Sequence, residues 1–369
     1  MTAPIPASVT EQIRQDALPR IRAARANRIA VWGAGNLGRW LAAQLGDRVV
    51  AFIDANPLKQ GVPCDGIPVL ATDRLRELVV DQVWISVLSD AEGIVDHLLE
   101  EGMPAEDVVH AFPTGKIRQT VSLLPRTLAF LQQVDLDGRA LVEVGFGGQL
   151  FFALTLLWRG AATVCVTDVE PASETLTRRR DTWERYLRLL SEEFASYRVG
   201  HGDPLALLDR VEIFPSGVSA TELPFEDDRF DGVVSTGVME HVTGPEQAIQ
   251  EFARVVRAGG LALSVAVGIH DHRANDPRSG FTPWSFLEET QGEWAARPCT
   301  AYHQNRWRAV DFRRAFEGAG FETVAYETRV DTSFDRAAVK AFAPEFRTAY
   351  SHDELAELDL YMASRKIPA

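Results

Sequence analysis

The stretch that decides the fold is SATELPFEDDRFDGVVSTGVMEHVTGPEQAIQEFARVVRAGG, residues 219–260. Within it, the apolar run DGVVST (231–236) has the length of a buried strand, and a helical stretch that ends at a glycine pair follows it. A second apolar run, LALSVAV (261–267), comes directly after those glycines. The succession of strand, helix and strand predicts α/β architecture with a parallel sheet.

The same alternation extends along the C-terminal two-thirds of the chain. Further predicted strands are ALVEVG (140–145), TVCVTD (163–168), VEIF (211–214), ETVAYET (322–328) and LDLYMAS (358–364). With the two runs above they make seven, and most are separated by stretches that favour helix. This is the pattern of repeated βα units.

Two motifs before this stretch indicate a nucleotide site. LVEVGFGGQ (141–149) closes a predicted strand and opens a helix, and glycines at such a corner let the backbone approach a ligand. Asp168 ends the next strand, where a carboxylate can bind both ribose hydroxyls. Taken alone, the glycines could serve only tight packing, and Asp168 could instead cap the following helix.

The order of these motifs resembles the class I S-adenosylmethionine-dependent methyltransferases of type 11, over roughly residues 135–330. The matching residues are Leu223-Pro224-Phe225, Phe230-Asp231, Glu240-His241-Val242 and the run RVVRAGG (254–260). The resemblance implies S-adenosylmethionine as cofactor. It also implies a doubly wound, Rossmann-like methyltransferase sheet of seven strands, the last one antiparallel and inserted near the edge.

The resemblance assigns the cofactor site residue by residue. Glu143, Gly145 and Gly147 would hold the amino-acid part of the cofactor, and Asp168 would hold its ribose. The other members of this predicted set are Phe146, Val169, Ser219, Ala220 and Ser235.

The chain departs from the family pattern at two positions of this set. Gln149 stands where the first motif has its third glycine, and Ser219 replaces the acid of an Asp-Ala pair beside the adenine. Contacts through backbone N–H groups survive both changes, so we expect cofactor binding to be retained.

Histidines after two neighbouring strands are the candidate bases. Methyl transfer needs orientation of the acceptor and, for a hydroxyl, removal of its proton, which suits a side chain that titrates near neutrality. His272 follows the fifth strand within IHDHRA (269–274), and His241 follows the fourth. Either could be the base, although His241 could instead contact the cofactor or cap a helix.

A subset of these methyltransferases, many encoded with polysaccharide-assembly genes, has a similar Asp-His pair at this position. The matching residues are Asp271-His272, together with Asn305-Arg306-Trp307-Arg308 before the next helix. The resemblance implies that Asp271 orients His272 as the base. A metal on His270, Asp271 and His272 is disfavoured because consecutive side chains seldom point the same way, and we predict none.

The N-terminal part has a glycine motif of its own. GAGNLG (33–38) follows the strand RIAVW (28–32), and Asp54 ends the next strand, VVAFID (49–54). This spacing is a dinucleotide fingerprint, but the alternation ends after roughly 85 residues, at DQVWISV (81–87). The stretch from FIDANPLKQG to GIPVL resembles the small N-terminal domain of nucleotide-sugar acyltransferases. A nucleotide site at Gly33, Gly35, Gly38 and Asp54, a docking domain and a vestigial fold all remain open.

These patterns predict a two-domain chain. A small Rossmann-like domain of parallel α/β nucleotide fold would span residues 1–115, followed by a linker helix over 116–137. The methyltransferase domain would span 138–369, with insertions at 172–210 and 268–305 that cover the acceptor pocket.

Composition limits the partners. The formal charge of −14 opposes nucleic-acid binding, which needs a basic face. Three distant cysteines give neither a disulfide framework nor a thiolate metal site, and no apolar run is long enough for a secretory signal or a membrane span. We expect a cytoplasmic protein. Its oligomeric state stays open, and a homo-oligomer is one option.

The expected activity is methyl transfer from S-adenosylmethionine to a hydroxyl of a small molecule or of a sugar or glycan precursor. That would place the protein in glycan or secondary-metabolite biosynthesis. Two alternatives remain. One is an enzyme that uses NAD(P) or a nucleotide-sugar through GAGNLG (33–38), and the other is a non-enzymatic cofactor-binding scaffold.

Overall fold

The computed structural model describes residues 7–88, 91–172, 180–200, 203–275, 279–297 and 303–368. The chain divides into two compact units that meet in sequence between Ser122 and Leu123. This boundary lies inside helix α4 (Gly115–Leu131), so the expected linker helix contributes residues to both units. The segment FPTGKIRQT (112–120) contains the first turns of α4. Its turn-forming residues, Pro113 and Gly115, lie at the start of this helix.

The N-terminal unit is a parallel sheet with helices. Its strands are β1 (Ile29–Trp32), β2 (Val49–Ile53), β3 (Val69–Leu70), β4 (Gln82–Ile85) and β5 (Val108–His110), in the order β3-β2-β1-β4-β5. Its helices are α1 (Ala7–Ala23), α2 (Asn36–Leu45) and α3 (Ala91–Glu100). The expectation that the alternation ends at β4 is wrong, because α3 and β5 continue it. Both β3 and β5 are edge strands of two or three residues, too short to give a clear apolar pattern.

Among the described residues, the C-terminal unit holds a seven-stranded sheet in the order β11-β12-β10-β9-β6-β7-β8. They are β6 (Ala140–Val144), β7 (Thr163–Thr167), β8 (Val211–Ile213), β9 (Phe230–Thr236), β10 (Val256–Gly268), β11 (Phe321–Val330) and β12 (Glu357–Lys366). Strands β6 to β10 pair in parallel, whereas β12 runs antiparallel to both β10 and β11. The parallel α/β architecture expected from the sequence is confirmed.

The helices of this unit are α5 (Phe151–Trp158), α6 (Arg180–Glu193), α7 (Pro245–Val255), α8 (Gln291–Ala295), α9 (Ala309–Gly318), α10 (Pro344–Ala349) and α11 (His352–Ala356). Helices α7 and α9 pack on the sheet through a buried apolar cluster that includes Phe252 and Phe312. In the expected insertion 172–210, α6 packs Trp183 and Tyr186 edge-on against Phe151 of α5. Residues 173–179 and 201–202 of that insertion lie outside the described ranges.

The arrangement of strands places the site. Because β6, β7, β9 and β10 are parallel, their carboxyl ends meet at one edge of the sheet, where ligands bind in open α/β sheets.

A search of the described residues for a helix long and apolar enough to cross a membrane found none.

Candidate cofactor and acceptor site

The turn after β6 is built from glycines that no other residue could replace without strain. Gly145 has φ of 81°, and a Cβ at this position would overlap the side chain of Val238. Its N–H donates to the carbonyl oxygen of Thr167 at 2.8 Å. The N–H of Gly147 donates to Oδ2 of Asp168 at 2.7 Å. The turn after β6 is therefore tied to the end of β7.

Asp168 connects three of the predicted cofactor segments. Besides the N–H of Gly147, its carboxylate accepts the N–H of Glu170 at 3.2 Å. Its main-chain carbonyl accepts the N–H of Val218 at 2.7 Å, which brings Ser219 and Ala220 beside it. Its carboxylate thus contacts two loop N–H groups, those of Gly147 and Glu170, and the alternative role as a helix cap stays a prediction.

Glu143 is a buried acid with unused hydrogen-bonding capacity. Its side chain is 2% exposed and accepts a hydrogen bond from the N–H of Ala153. No hydrogen-bond partner of Oε2 occurs among the residues that the structure describes. Burial, reinforced by the charge of Asp168, raises the pKa of Glu143 to about 8. In the ligand-free protein this carboxyl group is therefore mostly protonated at neutral pH, and a cation beside it would favour its ionised form.

The remaining predicted cofactor residues differ in their exposure. Phe146 is buried, and Ser235 is buried with a hydroxyl that has no partner within the described ranges. Val169 is 69% exposed although it is apolar, and it lies directly after Asp168. Ser219 is exposed, with its hydroxyl 2.8 Å from that of Thr221. An exposed apolar side chain and a backbone turn thus lie beside the carboxylate, a suitable surface for an adenine ring.

Three histidines meet beyond the ends of β9 and β10, and we call His241, His270 and His272 the histidine cluster. The ring centroid of His272 lies 5.1 Å from that of His241 and 5.0 Å from that of His270. Nδ1 of His241 lies 2.7 Å from the carbonyl oxygen of His303, and Nδ1 of His270 lies 3.0 Å from that of Leu358. Because a carbonyl only accepts, Nδ1 carries the proton in both rings and Nε2 is the basic nitrogen.

His272 has the opposite arrangement. Its Nε2 lies 3.2 Å from the carbonyl oxygen of Gly268, so Nε2 carries the proton and Nδ1 is the basic nitrogen. The side chain is 8% exposed, and burial, together with the neighbouring imidazoles of the cluster, lowers the pKa of His272 to about 3. The ring is therefore neutral throughout the physiological pH range.

The prediction that Asp271 orients His272 is wrong. Asp271 is fully buried, and both its oxygens accept hydrogen bonds from Arg273, at distances of 2.6 to 3.0 Å. The physical reason is charge compensation, since a carboxylate at zero exposure needs a cation and the guanidinium two residues on supplies one. Arg273 is held in turn by Glu289 at 3.1 Å.

The predicted Asn-Arg-x-Arg segment holds the connection after β10. Nδ2 of Asn305 donates to the carbonyl oxygen of Met239 at 2.7 Å, and Arg306 donates to that of Phe286 at 3.0 Å. Arg308 is fully buried and donates to main-chain carbonyls, including that of Ile269. These side chains therefore fix loops around the site.

The tryptophans of the region also have packing roles. Trp284 contacts Phe334 edge-on, and Trp307 contacts Phe312. Nε1 of Trp294 donates to the carbonyl oxygen of Gln304 at 2.9 Å. Within the expected insertion 268–305, residues 276–278 and 298–302, which include Cys299 and Tyr302, lie outside the described ranges.

Sequence reasoning gave no role to the side chain of Glu240. It was noted only as part of a motif, yet it is 4% exposed and its Oε1 accepts the N–H of Gly268 at 2.8 Å. The available signal was an acid four residues behind the predicted buried strand DGVVST (231–236), a place where burial can be expected. Within the described ranges, no group of three or more His, Cys, Asp or Glu side chains that could hold a metal ion was found.

In the N-terminal unit, the acid of the glycine motif is already paired. Asp54 accepts the N–H of Ala34 at 2.8 Å and that of Asn56 at 2.9 Å, and it forms an ion pair with Lys59 at 2.9 Å. The link from Asp54 to the glycine turn matches the link from Asp168 to Gly147, but the lysine is additional. A nucleotide at Gly33, Gly35, Gly38 and Asp54 stays a prediction, as does the acyltransferase likeness.

The chain is similar to known proteins over parts of its length. The family model described as "Methyltransferase domain" matches residues 142–264, about a third of the chain. The mouse mitochondrial 2-methoxy-6-polyprenyl-1,4-benzoquinol methylase is 32% identical over 117 residues, which cover 29% of this chain and 35% of that protein. The redox-sensing transcriptional repressor Rex of Streptomyces coelicolor is 39% identical over 85 residues, covering 20% of this chain and 33% of the repressor.

Among solved structures, an S-adenosylmethionine-dependent methyltransferase from Mesorhizobium loti aligns with a TM-score of 0.39 and 16% identity, over 64% of this chain and 96% of that one. The chain matches only about a third of the length of the two curated relatives named above. Over residues 142–264, about a third of its length, the chain thus matches a methyltransferase domain.

Proposed function

We propose that this protein transfers a methyl group from S-adenosylmethionine to a hydroxyl of a small molecule or of a sugar or glycan precursor. The proposal is supported by the residues that lie together at one edge of the sheet. There the glycine turn, Asp168 and the partly unpaired carboxyl of Glu143 lie at the ends of strands β6 and β7, and the histidine cluster follows β9 and β10. A methyltransferase needs a cofactor cradle and an acceptor base at such neighbouring positions.

The residues fit the three parts of the cofactor. Glu143 would pair with its ammonium group, and Asp168 would bind its ribose hydroxyls. The adenine would lie against Val169, with Ser219 and Ala220 beside it. When bound, the cofactor's sulfonium supplies an electrophilic methyl group with a good leaving group attached.

The acceptor side would be served by the histidine cluster. His272 is neutral at physiological pH and presents Nδ1 as a proton acceptor, although its lowered pKa makes it a weaker base than an ordinary histidine. His241 is the competing base, 5.1 Å away between ring centroids. The mouse relative is named as a methylase of a benzoquinol, and this supports an acceptor that bears hydroxyl groups.

The test combines binding with turnover. Calorimetry of the full chain should show binding of S-adenosylmethionine, and parallel titrations with NAD and with a nucleotide-sugar test the N-terminal glycine motif. Radiolabelled cofactor should then transfer label to members of a panel of phenols, sugars and nucleotide-sugars. Binding of NAD or a nucleotide-sugar without binding of S-adenosylmethionine would instead favour an enzyme that acts through the N-terminal glycine motif. Cofactor binding without transfer to any member of the panel would favour a scaffold.

The base is tested by paired variants. On the acceptor that the panel identifies, His272→Ala should lower turnover about 10²- to 10⁴-fold, the usual contribution of general acid–base catalysis, with the dissociation constant of the cofactor unchanged. If His272→Ala turns over normally while His241→Ala is inactive, the base is His241. If both variants keep full activity, the enzyme acts by positioning alone.

A further inference from the structure

Glu240 lies in the turn between β9 and α7, in a short 3-10 segment, Met239–His241. Its main-chain carbonyl accepts the N–H of Asn305 at 2.8 Å, so its backbone is anchored. Its carboxylate is buried, and Oε1 accepts the N–H of Gly268 at 2.8 Å. Oε2 has no hydrogen-bond partner among the residues described. Burial of an acid with one unpaired oxygen lowers the stability of the fold.

Gly268 is the point where Glu240 and His272 meet. A Cβ built on this glycine would lie 2.7 Å from Nε2 of His272 and 3.1 Å from Oε1 of Glu240. The glycine donates its N–H to the carboxylate, and its carbonyl oxygen lies 3.2 Å from Nε2 of the imidazole. Both side chains therefore depend on the orientation of one residue, and only glycine leaves room for them.

We propose that Glu240 is the positioning residue of His272. The carboxylate holds Gly268 so that its carbonyl binds the Nε2–H of the imidazole, and this makes Nδ1 the nitrogen that receives the proton. Glu240 thus takes the role that the sequence pattern suggested for Asp271. The proposal rests on the proposed function, in which the acceptor is a hydroxyl.

The proton balance follows from this tautomer. The proton of the acceptor hydroxyl passes to Nδ1 of His272, whose Nε2–H stays on the carbonyl of Gly268. The acceptor oxygen forms a bond to the methyl carbon, and the carbon–sulfur bond breaks with its electron pair remaining on sulfur. With the other tautomer, Nδ1 would already carry a proton and could not accept one.

The test is nitrogen NMR of the histidine rings in the full chain at pH 7, with signals assigned through His272→Gln. In the wild type, Nε2 of His272 should show a protonated signal and Nδ1 an unprotonated one. Glu240→Leu removes the acceptor of the Gly268 N–H at similar volume, and both signals should move toward an averaged position. Glu240→Gln keeps an amide oxygen for that N–H and should restore the wild-type signals, which general loss of packing would not explain. Asp271→Asn should leave them unchanged.

Two results would overturn the proposal: unchanged His272 signals in a folded Glu240→Leu variant, or an equal change in Asp271→Asn. If Glu240→Leu does not fold, failure of Glu240→Gln to keep the wild-type signals overturns it as well. Calorimetry with S-adenosylmethionine separates this outcome from failure of the proposed function. A protein that does not bind the cofactor refutes methyl transfer, whatever tautomer His272 adopts.

Discussion

Binding of the cofactor should release a proton, and the source should be Glu143. Burial and the charge of Asp168 raise the pKa of this carboxyl to about 8 in the ligand-free protein. An ammonium group that pairs with Oε2 favours the ionised form. Formation of the complex therefore drives ionisation of a group that was protonated beforehand.

The magnitude follows from that pKa. At pH 7, one unit below it, about nine in ten molecules carry the proton on Glu143, so binding should release about 0.9 proton. If only the ionised form binds, affinity should rise about tenfold per pH unit up to pH 8 and level off above it. The stability of the ligand-free protein depends on pH in the opposite direction to the affinity for the cofactor. Unfolded Glu143 ionises near its ordinary pKa of 4.5, so the ligand-free protein loses stability as the pH rises from there through 8.

The measurement is isothermal titration calorimetry at pH 7 in phosphate and in Tris buffer. These buffers differ in ionisation enthalpy, so the difference between the two observed binding enthalpies gives the number of protons released. Glu143→Gln is the matched control, because it keeps the volume and cannot ionise, and any protons that still move belong to the cofactor or to other groups. Equal enthalpies in both buffers for a wild-type protein that binds tightly would refute the reasoning.

Three further outcomes are expected. Asp168→Ala should weaken cofactor binding by about 1–3 kcal/mol because ribose hydroxyls lose their partner, and an unchanged dissociation constant in calorimetry would remove Asp168 from the site. Gly145→Ala should abolish binding and lower the melting temperature, since the new Cβ overlaps Val238, whereas Gly138→Ala, also at positive φ but in open space, should leave binding intact. The pH profile of turnover should lack the acidic limb of an ordinary histidine near pH 6.5, because the pKa of His272 is about 3, and such a limb would identify a different base.

Much of the architecture could be predicted from the sequence because it depends on strong local signals. The parallel strands β6 and β10 contain the mainly apolar stretches ALVEV (140–144) and LALSVAV (261–267), and such stretches are typical of buried parallel strands. The glycine turn at Gly145 could be predicted for the same reason, since its backbone conformation excludes other residues. The segment 142–264 then matched the expected family.

The contacts that could not be predicted from the sequence are those that depend on the direction of a side chain. Asp271 and His272 are adjacent, but one side chain turns to Arg273 and the other to Gly268, because a fully buried carboxylate must find a cation. Glu240 approaches Gly268 from 28 positions away in the chain, and no spacing rule connects them. The short edge strands β3 and β5 gave no periodic signal at all.

The position of β12 in the sheet determines which part of the site can form first during synthesis of the chain. This strand lies between β10 and β11 although it is the last strand of the sheet to leave the ribosome. Its Leu358 carbonyl accepts the N–H of Ile269 at 3.0 Å and holds Nδ1 of His270. A nascent chain can therefore complete β6 to β9 and their glycine turn well before the histidine cluster is fixed. The cradle for the cofactor can form early, whereas the acceptor side is completed only when β12 inserts.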